Sequence, residues 1–161
     1  MDPRLAPLAH TLELNTRLVL NCLAGVDGPT ARRRITPDTN SMAFLLAHLA
    51  DARHFLANTL GVPFANPLAD QLKYGASEDE VGPLPELSIL VDAWRKVSSH
   101  LVTALPGIPP ERLDTPSATR FPIGDPTTLG TVTFLVQHES YHLGQLGLLR
   151  RALGLPAMSY R

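Results

Sequence analysis

Proline placement is the strongest constraint on how this chain can fold. Fifteen prolines occur in 161 residues, yet the windows 8–28, 38–62, 86–105 and 127–155 contain none. A proline inside a helix removes a backbone donor and clashes with the preceding turn, at about 3 kcal/mol. Long proline-free windows between proline-dense stretches therefore predict four helices joined by connectors near 24–40, 62–85 and 106–126.

Each window repeats its apolar residues at helical spacing. Leu8, Leu12, Val19, Cys22 and Leu23 share a broad face in the first, and Phe44, Leu45, Leu49, Ala52, Phe55 and Leu56 do so in the second. Leu90, Ala93, Trp94, Val97, Leu101 and Leu105 line up in the third, and Leu135, Leu146 and Leu149 are apolar in the fourth. Asn40 or Ser41 is a candidate cap for the second helix, and Thr127 or Thr128 for the fourth. Gly61, Pro106-Gly107 and Gly154 with Pro156 are candidate stops. Asp27-Gly28 reads as a helix stop, because it runs into Pro29 without the alternating flanks of a hairpin. No stretch alternates with period two. The expected fold is all-α, a four-helix bundle with long connecting loops, forming one domain over 1–161. Connectors this long are expected to hold short helical turns and to shape a site.

Composition narrows the function. Net charge is −1, which gives no electrostatic footprint for nucleic acid. The Arg32-Arg33-Arg34 run reads as a solvated loop. No apolar run approaches the ~18 residues of a membrane span, and no signal peptide is visible. One cysteine, Cys22, excludes an intrachain disulfide and falls among leucines, as a buried structural thiol does. A cytoplasmic protein is expected.

Six histidines occur, and three draw attention. His138 and His142 stand four apart, so they neighbour one another on a helix and can converge on one ion. At about 100° per residue, Gln145 lies about 20° from His138 on its other side, extending the polar stripe. His48 sits on the apolar face of the second helix, among Phe44, Leu45, Ala52 and Phe55. A histidine there can face the His138/His142 pair and supply a third ligand, as bundles commonly arrange. Three protein ligands leave a coordination position open. His54 is about 120° from His48 around its helix. It reads, with His10 and His100, as a surface or packing residue.

His138-Glu139-Ser140-Tyr141-His142 matches the H-E-x-x-H pattern of zinc proteases. The nineteen residues after His142 contain no His, Asp or Glu for a third ligand, so a protease is not expected. Glu139 reads preferentially as a solvated helix residue, with a place beside the metal as the alternative. Asp51 reads preferentially as a solvent-facing salt-bridge partner, with orientation of an imidazole as the alternative.

The segment from Asn40 to Arg53, with His48 followed by Leu-Ala, and the segment from His138 to Leu149, with its two histidines and Gly-Gln, resemble the DinB/YfiT-like family of metal-binding bundle proteins. The order of helices agrees over most of the chain. The resemblance implies a four-helix bundle, often dimeric, whose three-histidine site holds zinc, nickel or another divalent ion. It also implies transfer of a low-molecular-weight thiol such as bacillithiol, mycothiol or glutathione to a small-molecule electrophile. Gln145 and Glu139 are the candidate assisting residues. Two alternatives stay open: a hydrolase using a metal-bound water, and a non-catalytic protein braced by its metal.

Overall fold

The computed structural model describes residues 1–72 and 75–160. Four long helices dominate: α1 (Ala6–Leu23), α3 (Met42–Thr59), α4 (Leu87–Ala104) and α6 (Thr128–Ala152). Two four-residue helices lie in the connectors, α2 (Gly28–Ala31) and α5 (Pro110–Leu113). No strand occurs among the described residues; Pro116 and Thr127 form an isolated bridge.

The helix ends follow the expected chemistry with one correction. Ser41 caps α3 by accepting the Phe44 N–H at 3.1 Å, and Thr127 caps α6 by accepting from Gly130. Gly61 (φ +79°) and Gly154 (φ +83°) follow α3 and α6 in the left-handed conformation that glycine adopts without penalty. Asp27-Gly28 is not a stop. α1 has already ended at Leu23, and Asp27 caps α2 by accepting the Thr30 N–H at 2.8 Å. At the other end of the bundle, α4 stops at Ala104 and a closing 3-10 turn over Leu105–Gly107 ends the helical run at Pro106-Gly107, as expected.

Neighbours around the bundle run α1–α6–α3–α4 and back to α1. Two apolar layers give the helix directions. One joins Leu5 and Leu12 to Leu56, Leu60, Leu101, Leu105, Val132 and Leu135; the other joins Leu18 and Cys22 to Phe44, Leu45, Leu90, Trp94, Leu146 and Leu149. The start of α1 therefore meets the start of α6 and the ends of α3 and α4. α1 and α6 run one way, and α3 and α4 run the other. This order explains the long connectors. α1 to α3 and α4 to α6 join opposite corners, while α3 to α4 joins parallel neighbours. That last connector must return along an 18-residue helix, about 27 Å.

The connectors are pinned by polar contacts. Arg34 donates to Asp79 at 2.6 Å and to the Thr39 carbonyl at 2.6 Å, and Arg32 donates to the Pro85 carbonyl at 2.8 Å. Arg32 and Arg34 thus pin the α3–α4 connector, while Arg32 and Arg33 are exposed, as a solvated loop requires. Glu78 accepts from both the backbone N–H and the hydroxyl of Ser41, each at 2.6 Å. Cys22 is fully buried, as expected, and burial pushes its thiol up to about 11.

Between the apolar layers lies a buried polar one that the sequence did not announce. Arg53 (α3) donates Nε to Glu139 Oε1 at 2.7 Å and Nη2 to Oε2 at 2.9 Å. Its remaining donors go to Thr16, Ser98 and the Leu12 carbonyl, and its guanidinium lies 3.9 Å from the Trp94 ring centroid. Asn15 donates to Glu139 Oε2 at 3.4 Å. Both charged residues are 1% exposed. Glu139 is therefore not solvated. Its carboxylate joins all four long helices through one guanidinium, which satisfies the charge that burial would otherwise leave costly.

Candidate metal centre

His48 on α3 and His138 and His142 on α6 meet where these two helices face each other. The sequence places them there by simple periodicity. His48 follows Phe44 by one turn, and Phe44 is buried, with its ring stacked on the imidazole at 6.2 Å. His138 and His142 share one side of α6, and their rings meet edge-on at 4.4 Å between centroids.

The three Nε2 atoms converge. His138 Nε2 lies 3.0 Å from His48 Nε2 and 3.0 Å from His142 Nε2, and all three fall within 4.8 Å of one another. Gln145 fixes one tautomer. Its Oε1 lies 2.6 Å from His142 Nδ1, and an amide oxygen only accepts, so Nδ1 carries the proton and Nε2 presents a lone pair. Gln145 Nε2 in turn donates to the Tyr141 hydroxyl at 3.2 Å.

Burial is the main force on the imidazoles. It pushes His48 and His138 down to about 4 each, with nearby histidine charge adding to the shift. His142 is also lowered by burial, against the opposing effect of the hydrogen bond it donates to Gln145. Neutral rings at pH 7 are what a metal requires, since protons do not compete for the lone pairs.

The donor set fits a divalent ion. With His142 Nε2 unprotonated, a single proton on His138 Nε2 can serve only one of its two close neighbours. A cation satisfies all three. Metal–nitrogen bonds of about 2.0–2.1 Å, set roughly 90–110° apart, put their nitrogens about 3.0–3.4 Å from each other. The three residues are half-buried, so one side of the cluster faces outward. Tyr141, edge-on to His142 at 5.1 Å, is 59% exposed.

A model of the DinB superfamily matches residues 11–146. The chain belongs to the DinB superfamily. Comparison with curated proteins gave no match. Within this DinB-superfamily chain, the match spans both segments that carry the three histidines.

The other expected site residues fall in different places. Glu139 has both oxygens committed to Arg53 and Asn15, so it is not free to act as a base. Asp51 makes no ion pair among the described residues and orients no imidazole by hydrogen bond. Instead it accepts from Asn66 at 2.7 Å and anchors the α3–α4 connector, and burial raises its pKa. His54 and His100 are packing residues. They contact the faces of Phe64 at 5.7 and 4.7 Å and bond the carbonyls of Phe64 and Val62. His10 is exposed.

Gln145 accepts a hydrogen bond from the His142 imidazole. Loss of such an outer partner typically weakens metal binding by about 10–100-fold. Gln145→Ala should show a loss of that size in competition with a metal-sensitive chelator. An unchanged affinity would remove Gln145 from the centre.

Proposed function

We propose that this protein binds one divalent metal ion, zinc or nickel, through His48, His138 and His142, and transfers a low-molecular-weight thiol to an electrophilic small molecule. The observation that carries the reading is the meeting of three neutral imidazole nitrogens on a half-exposed side of the bundle. Membership of the DinB superfamily supports it. A divalent cation held there would favour the ionised form of a bound thiol.

The chain's own part is positioning. His142 is oriented through Gln145, and His48 is backed by the buried ring of Phe44. In the reaction, the sulfur forms a bond to an electrophilic carbon. The thiol proton passes to solvent, and the leaving group departs with its bonding pair. Holding both reactants in one place lowers the entropic part of the barrier. No helix among the described residues is long and apolar enough to cross a membrane, and small soluble reactants are proposed.

The hydrolytic alternative is weakened by the state of Glu139. Its carboxylate is paired with Arg53 behind the site, so Glu139 is not placed to accept a proton from an attacking water. The decisive assay pairs metal-loaded protein with glutathione, bacillithiol or mycothiol and a panel of electrophiles. Consumption of thiol that stops on metal removal is expected. Electrophile breakdown without thiol would replace this reading with the hydrolase. Loss of thermal stability on metal removal, with no turnover of any kind, would replace it with the braced, non-catalytic protein.

A further inference from the structure

Each imidazole of the centre has an aromatic neighbour, but the three neighbours differ. Phe44, against His48, is 4% exposed and belongs to the core. Tyr141, against His142, faces solvent. Phe134, one turn before His138, lies between these extremes. It stacks towards His138 at 6.1 Å and is half-buried.

Phe134 also starts a strip. Phe121 stacks on it at 4.5 Å with 18° between planes, and Phe55 meets Phe121 edge-on at 6.1 Å. Three separate elements supply these rings: α6, the α5–α6 connector and α3, where Phe55 follows His48 by about two turns. All three rings are half-buried, and they account for three of the five phenylalanines in the chain. They pack against the apolar layer that holds Leu56 and Val132, yet each stays partly exposed, unlike Phe44. The strip instead leaves a partly exposed π-surface that is continuous with the metal centre. Ligand sites are built this way, from apolar and aromatic walls around a few fixed polar groups.

We propose that the electrophile is an uncharged aromatic compound whose ring lies against Phe121 and Phe134. This rests on the thiol-transfer reading above and assigns its substrate class. Phe121 is the specificity-determining residue, because it reaches the strip from a connector and its ring meets Phe55 and Phe134 at one remove from the histidines. A surface made of aromatic rings favours a flat aromatic partner over an alkyl chain or an anion.

The test uses full-length, metal-loaded protein and two arms. In the first, 4-nitrobenzyl alcohol and hexan-1-ol are titrated by calorimetry. The aromatic probe should bind about tenfold more tightly, and Phe121→Ala should erase the difference while metal content stays unchanged. Phe55→Leu, which keeps an apolar side chain, serves as the second variant and should reduce the difference in part. Equal binding of the two probes, or a preference untouched by both variants, would overturn the aromatic subsite. In the second arm, 4-nitrobenzyl chloride is offered with the thiol panel. Turnover with a KM raised in Phe121→Ala supports the assignment. Binding in the first arm without turnover in the second would overturn the electrophile assignment and leave a site for aromatic ligands of another role, whereas the transfer reading falls only if the whole electrophile panel leaves the thiol unconsumed.

Discussion

Glu139→Ala should cost about 3–5 kcal/mol of folding stability, the usual result of removing one member of a buried ion pair. Arg53 would keep its charge, 1% exposed, with only hydroxyl and carbonyl partners left. For a protein of this size each kcal/mol moves the thermal midpoint by roughly 2–4 °C, so a fall of about 10 °C is the expected scale. Calorimetric unfolding of the variant beside the native protein measures it directly. Arg53→Met combined with Glu139→Leu should recover much of the loss, because two matched apolar side chains leave no orphaned charge. A midpoint within 2–3 °C of native in Glu139→Ala would mean that water or a rearranged neighbour supports Arg53, contrary to the packing described here.

The second large effect concerns the metal centre. His48→Ala should reduce bound divalent metal from about one equivalent per chain to nearly none. The variant keeps both ligands on α6 but loses the only one from α3, and with it the tie between the two helices. Alanine is the best helix former, so α3 should persist. Metal that binds only the folded chain stabilises it by mass action, about 4 kcal/mol when present at a thousand times its dissociation constant. Chelation should therefore lower the thermal midpoint of the native protein and leave that of His48→Ala almost unchanged.

Much of this was legible in the sequence because its signals are local. Proline-free windows marked the four long helices, and Ser41, Thr127, Gly61 and Gly154 marked their ends by chemistry that depends on one or two turns. His138, His142 and Gln145 were legible through spacing on a single helix. His48 was legible only as a polar residue on an apolar face, and the three-dimensional fold was needed to place its Nε2 3.0 Å from that of His138.

The polar layer was missed for the opposite reason. Glu139 looked like a solvated residue because its partner lies 86 positions away on another helix. A signal was nevertheless present. Arg53 continues the line Leu46, Leu49 towards Leu56 and Leu60, and Glu139 continues Val132, Leu135 or Val136 towards Leu143 and Leu146. Opposite charges standing in two separate apolar lines are a sign of a buried pair. Asp27-Gly28 resembles a stop only because α1 ends at Leu23, five residues before the end of its proline-free window. In the arginine run Arg32 and Arg33 are exposed, but the Pro85 carbonyl and the Asp79 carboxylate that Arg32 and Arg34 hold come from a distant connector, which local spacing does not reveal.

The central claim is that His48, His138 and His142 form one metal site. Its most direct test is metal content per chain by mass spectrometry, on untagged protein purified without added metal or chelator, beside His48→Ala. About one equivalent of zinc or nickel in the native protein, lost in the variant, is the predicted result. Negligible metal in both, with none taken up on reconstitution, would contradict it and leave the three histidines as structural polar residues.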